Sequence, residues 1–407
     1  MDMTAPPDPI TDSDDLAAFC AELAKSDWIC VDTEFIRDKT YWPQLCLIQL
    51  SAPARREDNS EDPDDGPAAC VDVLAEGLDL QPVYDLLADE KILKVFHAAR
   101  QDLEIFYIRM GRVPAPLFDS QVAAMVCGYG DQVGYEALVR KICKAELDKS
   151  SRFTDWAARP LEAKQLKYAL ADVTHLRRIY RHLADMLDDS GRADWLTEEM
   201  AILADPATYE NDPADAWRRL KARNAKPRML AVLKEVAAWR EREAQSRDVP
   251  RSRIVRDDSL MDIAASAPTD VKAMRRIRGL PSGFAEGKFG TALIEAVNRG
   301  LDLPKDRRPV LPKSEPLPTT LQPLVDLMKV LLKANAAEAG VAGRLIANAD
   351  DLERIALDDR ADVPALKGWR RKLFGEQALA LKHGRIALTA GPEGVETIER
   401  SPPSSGG

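Results

Sequence analysis

The sequence predicts an α/β domain, built as a mixed sheet flanked by helices, followed by two small all-α domains. Three observations carry that reading. Strand-like and helix-like periodicities mix only over the first 190 residues, and everything after them reads as helix and loop. The later part repeats itself: "VPRSRIVRDDSLMDIA" (249–264) matches "VAGRLIANADDLERIA" (341–356) at an offset of 92, and "FGTALIEAV" at 289 returns as "FGEQALAL" at 374. A chain of 407 residues exceeds one ordinary domain, and its composition is that of a globular protein without a membrane-spanning run.

The acidic, Pro-rich start "MDMTAPPDPITDSDD" lacks the basic and apolar halves of a secretory signal, so a cytoplasmic protein is expected. "WICVDTEF" (28–35) reads as a covered strand, followed by "LCLIQLSA" (45–52), "ACVDVLA" (69–75) and "ILKVFH" (92–97). The acidic segment at about 53–68 is expected to be a disordered hairpin insertion. The layout is then a first domain over 1–190, helical domains over 205–303 and 318–392 joined by a Pro-rich linker, and a disordered tail over 393–407. All six cysteines fall by residue 143 in apolar surroundings without a Cys-x-x-Cys pair, which predicts reduced, buried thiols rather than a zinc site.

Charge is uneven. The net charge of −10 argues against a generic polyanion binder. Yet Trp217 to Arg256 holds thirteen Lys or Arg against four acids, whereas 318–392 holds eleven basic and nine acidic residues. A solvated helical face accounts for such a basic run, and so does a phosphate-holding surface.

Within the first strand, Asp32 and Glu34 share one face. Buried carboxylates need a positive partner, and the strand supplies none. Two further acids stand where strand ends and helices converge. Asp102 lies in the first turn of a helix after "FHAARQ", where it also suits a helix N-terminus. Tyr168 and Asp172 sit four apart within a long helix begun near Pro160, a spacing that stacks them on one face. The histidines 97, 175 and 182 stand in no nucleophile context.

Together "VDTEF", "HAARQDLEIF" and "YALADV" resemble the three motifs of the DEDD exonuclease superfamily, and Tyr-x-x-x-Asp resembles its Tyr-bearing branch. The His-bearing branch would carry His at position 167, which is Lys. "YWPQLCLIQL", "LDKSSRFTDWAARPL" and the repeats, which look like HRDC domains, resemble the ribonuclease D family through nearly the whole chain. That resemblance implies an RNase H-like fold over about 10–190 and a metal-dependent 3′–5′ exoribonuclease that trims tRNA 3′ ends and releases 5′-mononucleotides. It implies that Asp32, Glu34, Asp102 and Asp172 hold two divalent metal ions, and oxygen-only ligands suit Mg²⁺ or Mn²⁺. It further implies that Tyr168 orients the attacking water, and that Thr33, Phe35, Gln101, Lys149 and Trp156 lie near the RNA. Phe35 could equally be core, and Trp156 could stack on a base or simply pack.

The partner implied is RNA, as tRNA precursors with free 3′ ends, met by a monomer without membrane attachment. The basic first repeat would hold RNA, and the balanced second one would pack on the first domain and close a ring. A 3′–5′ DNA exonuclease of repair type and a nucleic-acid-binding scaffold with a lapsed site are the alternatives. The presence of all four acids and the Tyr speaks against the scaffold.

Overall fold

The apolar run from Trp28 becomes β1 (Trp28–Ile36), the central strand of a five-stranded sheet. The computed structural model in which it is seen describes residues 6–400 except 57, 59, 152, 153, 223, 224, 312–316 and 393. β2 (Gln44–Ser51) pairs antiparallel with β1. Past the short pair β3 (Ala54–Arg55) and β4 (Glu61–Asp62), β5 (Ala68–Val71) extends the sheet antiparallel to β2. On the other side of β1 run β6 (Leu93–Phe96) and β7 (Leu117–Asp119), both parallel, giving the order β5-β2-β1-β6-β7. The sheet is therefore mixed, as expected. The third expected strand stops at Val71, and β7 escaped prediction because three residues show no period.

Helices cover both faces. α1 (Ser13–Leu23), α2 (Gln81–Ala88) and α3 (Arg100–Met110) pack Leu16, Leu23, Val83, Leu87, Leu103 and Phe106 against Ile29, Val31, Ile48 and Leu50. On the opposite face lie α4 (Ser120–Val126), α5 (Tyr135–Leu138), α6 (Ala163–Ser190) and α7 (Ala193–Ala204), against Trp28, Cys30 and Val95. α6 opens on a capping box in which the Gln165 side chain accepts from the Glu162 amide at 2.8 Å. Its Leu166, Ala169, Val173, Leu176, Ile179, Leu183 and Leu187 form the stripe that seats it on the sheet. Leu196 and Met200 of α7, and Tyr209 beyond it, belong to these same cores, so the packing runs past residue 190.

The helical part repeats its element starts. α8 (Pro227–Arg247) is followed by α9 (Arg251–Ile254), α10 (Asp257–Ser266), α11 (Val271–Met274) and α12 (Lys288–Asp302). α13 (Gln322–Ala339) is followed by α14 (Gly343–Ile346), α15 (Ala349–Leu357), α16 (Gly368–Arg370) and α17 (Glu376–Lys382). The starts of α9 and α14, and of α10 and α15, differ by 92 residues (343 − 251 and 349 − 257), the offset of the sequence repeat.

Both repeats touch the first unit. Tyr41 is buried in the core of the first repeat, its hydroxyl donating to Glu241, which also takes two bonds from Arg251 at 2.6 Å. The amides of Tyr41 and Trp42 both donate to Asp248 at 3.0 Å. In the second repeat Trp369 stacks on Trp195 at 4.3 Å, Arg370 binds Glu198 and Glu199, and the Ala342 amide donates to the Met125 carbonyl at 2.9 Å. Gly128, at φ +81°, permits that approach, since a Cβ there would lie 2.7 Å from the Gly340 carbonyl oxygen.

Three expectations need correction. The insertion at 53–68 is not disordered among its described residues: β3 pairs with β4, Arg56 binds Asp62 at 2.8 Å, and the Trp28 indole donates to Glu61 at 2.7 Å. Its acids find partners both inside the segment, as Asp62 does in Arg56, and outside it, as Glu61 does in Trp28. The tail, expected to be disordered from 393, contributes β9 (Gly394–Glu399), which pairs with β8 (Ile386–Gly391); residues 401–407 lie outside the described residues. The basic run is only partly a surface. Arg240 is 3% exposed, donating to the Val255 carbonyl at 3.0 Å and to Asp257 at 2.6 Å, while Arg219 and Arg251 turn to Glu241. Among the described residues no helix is long and apolar enough to cross a membrane.

Candidate active site

The carboxyl ends of β1 and β6 meet the start of α3 and the middle of α6, the place where open α/β sheets gather functional groups. β1 sends Asp32 and Glu34 to the α6 side and Thr33 to the other. Between Glu34 and Phe35 the register with β2 slips by one residue, because β2 carries the extra Cys46. Such bulges raise local twist and recur beside active sites.

Asp32, Glu34 and Asp172 each offer a carboxylate oxygen within 4.8 Å of the others. Asp102 stands outside that trio but close to it, buried, its carboxylate accepting the Thr33 hydroxyl. Burial, and then the charges of Asp102, Asp172 and Glu34, push the Asp32 carboxyl well above its ordinary range. Burial and the neighbouring acids push Glu34 up to about 9. Asp102 is pushed up to about 7, again chiefly by burial, with the Thr33 hydroxyl opposing the shift. A set of acids this close cannot all carry charge unless a cation joins them. The donor set, oxygen only and densely anionic, fits hard divalent ions. A neutral buried amide also lies against it: Gln49, opposite Asp32 in the sheet and fully buried, has no hydrogen-bond partner for either side-chain atom among the described residues.

The other predicted residues separate. Tyr168 is half-buried one turn before Asp172 on α6. Gln101 is exposed in the first turn of α3, beside Asp102. Phe35 is half-buried and packs against the α1–α3 core. Thr33 is spent on Asp102, so only its backbone is left to meet a nucleotide. Lys149 lies in the 3-10 turn Lys149–Ser151, with its side chain outside the described residues. Trp156 takes the packing alternative: at 3% exposure it packs with Cys46, Leu47, Leu166 and Ala169. Its loop is locked by Arg159, which binds Asp72 at 2.6 Å through two nitrogens and the Cys46 carbonyl at 2.8 Å. His97 meets Ser120 at 2.9 Å, but Ser120 is buried and the pair braces the fold.

Sequence reasoning missed Asp119. At the end of β7 its carboxylate accepts the amides of Ala98 at 3.0 Å, Ala99 at 2.8 Å and Gln121 at 2.8 Å, so one side chain caps α4 and fixes the turn that delivers Asp102. Ala98 needs that grip, since its φ of +57° is left-handed, a conformation that costs a non-glycine residue about 1 kcal/mol. Asp followed by Ser before an apolar run was the available signal. Asp119→Ala is expected to destabilise the protein by about 2–3 kcal/mol, since buried amides lose a charged acceptor, and to lower activity beyond what the unfolded fraction explains. Urea unfolding beside an initial-rate assay checks both.

Comparison with known proteins identifies the family. Residues 7–188 match the 3'-5' exonuclease family and residues 229–297 the HRDC domain family. The chain is 50% identical to ribonuclease D of Gluconacetobacter diazotrophicus over 384 residues, 94% of this chain and 95% of that one. It is 50% identical to ribonuclease D of Nitrobacter hamburgensis over 399 residues, 97% and 100% of the two chains. The chain belongs to the ribonuclease D family. A solved ribonuclease D, that of Escherichia coli, described as an exoribonuclease involved in structured RNA processing, superposes with a TM-score of 0.77 at 30% identity, covering 94% of this chain and 99% of the other. The RNase H-like exonuclease fold followed by an HRDC domain is thus the fold of this ribonuclease D family member, and divalent metal use goes with it.

Proposed function

We propose that this 3′–5′ exoribonuclease works by two-metal in-line hydrolysis, with Asp32, Glu34, Asp102 and Asp172 holding two ions, Mg²⁺ or Mn²⁺, and that it trims tRNA precursors with free 3′ ends. As a family member it is a hydrolase of RNA that leaves 5′-phosphomonoesters. The observation that carries the site assignment is the set of three half-buried carboxylates within 4.8 Å of one another, beside a fourth that is buried. Bound there, the ions would supply positive charge to the phosphodiester and acidify the attacking water. Tyr168, whose ordinary pKa near 10 makes it a poor base, orients that water by hydrogen bonding. The backbone at Thr33, the ring of Phe35, Gln101 and Lys149 receive the terminal nucleotides.

The catalytic unit is assigned to 1–190 extended by α7, and two HRDC-like units to 205–303 and 318–392. The exposed Lys221, Lys226, Arg228, Arg242, Arg253 and Arg256 of the first grip phosphates without reading sequence. The second, docked on α7 and α4, supports the architecture, and the protein acts as a cytoplasmic monomer.

The test is incubation with matched RNA and DNA 3′ ends under Mg²⁺ or Mn²⁺, and then with EDTA. The expected result is stepwise release of 5′-mononucleotides from RNA, at most slow attack on DNA, and arrest by chelator. Digestion that persists in EDTA would sink the metal assignment. Equal rates on both sugars would remove the preference for RNA.

A further inference from the structure

Gln49 is buried where a polar group needs a reason. The register of β1 on β2 sets it opposite Asp32, and that of β2 on β5 sets it opposite Cys70, so Asp32, Gln49 and Cys70 form one row across three strands. Residues directly opposite in antiparallel strands share a face, with Cβ atoms about 4.5–5.5 Å apart. The face is the one under α6. Two residues along β2, the Ser51 hydroxyl donates to the Val173 carbonyl at 2.9 Å; two residues the other way, Leu47 packs with Leu166 and Ala169. The Gln49 amide therefore sits beneath the stretch of α6 that carries Asp172, one strand from Asp32.

Its side chain is 0% exposed, and neither Nε2 nor Oε1 has a hydrogen-bond partner among the described residues. Leaving both amide atoms unpaired in a dry core is unfavourable, and a methionine or leucine would fill the position without that penalty. The neighbouring Cys70 is a buried thiol, at best a weak donor toward Oε1. The one strong acceptor in the row is the Asp32 carboxylate, which as a metal ligand must be ionised.

We propose that Gln49 is a positioning residue for Asp32: its Nε2–H donates to the ionised carboxylate and fixes the rotamer in which Asp32 holds a divalent ion. This rests on the metal reading of the site. Outer partners of metal-ligating carboxylates act in this way, and losing one weakens metal binding by about 10- to 100-fold.

The experiment uses the full chain, Gln49→Met and, should that variant misfold, Gln49→Leu. In EDTA, the thermal midpoint of the variant is expected to equal or exceed the parent's, because an unpaired polar group is gone. Mn²⁺ binding, followed by electron paramagnetic resonance, is expected to weaken about tenfold or more. At saturating Mn²⁺, kcat on a short RNA should fall while KM for that RNA stays. A variant that binds Mn²⁺ as tightly as the parent overturns the role of Gln49 and leaves the metal site standing. A variant that melts well below the parent yet keeps its Mn²⁺ affinity shows a packing role instead. A parent that binds no Mn²⁺ overturns the site reading and this inference together.

Discussion

Asp32→Asn and Asp172→Asn each lower kcat on a short RNA by about three orders of magnitude or more, with the fold intact. Removing one carboxylate ligand forfeits about 4 kcal/mol of transition-state stabilisation, which converts to that factor. The stability change has the opposite sign. Asp32 lies among acids whose burial and mutual repulsion push its carboxyl well up, so a neutral Asn relieves strain in metal-free protein, and the melting temperature in EDTA holds or rises. With Mg²⁺ or Mn²⁺ added the order reverses, because the parent gains more from binding than the variants do. Circular dichroism melts with and without metal, beside the nuclease assay, check both halves. Digestion at the parent rate by either variant would mean that the ligands are misassigned.

Arg370→Ala destabilises the docking of the second repeat by about 3 kcal/mol, the range for removing one partner of a buried ionic group. Arg370 is 7% exposed and joins three elements: it binds Glu198 and Glu199 of α7, donates to the Leu345 carbonyl at 2.7 Å, and lies over the Trp369 ring at 4.5 Å. Without it, half-buried Glu199 keeps its desolvation and loses its counter-charge. The expected outcome is a first unfolding step at lower temperature and faster proteolytic cleavage between residues 303 and 320. Cleavage of very short RNA, which is expected to need only the first unit, stays near the parent rate. A single unshifted melt would show that the Trp195–Trp369 stack and the Ala342–Met125 bond hold the repeat without Arg370.

The parts legible in the sequence were those with a local signature. β1, β2 and β6 announce themselves through β-branched and apolar runs, Asp32, Glu34 and Asp102 by standing inside or just after them, Asp172 by its spacing from Tyr168 on a long helix, and the repeats by self-comparison. What stayed hidden depends on partners far along the chain. The β3–β4 ribbon is tied to the sheet where Trp28 meets Glu61, a partnership that no count of acids could show. Charge counting set Arg240 and Arg251 facing outward, whereas Val255, Asp257 and Glu241 draw them in. Trp156 was ambiguous until the Arg159 lock placed it under α6. Asp119 and Gln49 each look ordinary in sequence, and their meaning lies in register and in a turn.

Tyr41 follows Glu34 by seven residues (41 − 34), and a chain of that length spans at most about 25 Å. The clasp of Tyr41 and Trp42 on Glu241, Arg251 and Asp248 therefore rigs the first helical module to the strand of Asp32 and Glu34 by a short tether rather than through the long segment that precedes α8. If that module holds RNA as proposed, a pull on the strand would be felt one short loop from the carboxylates, so grip and site are mechanically joined there.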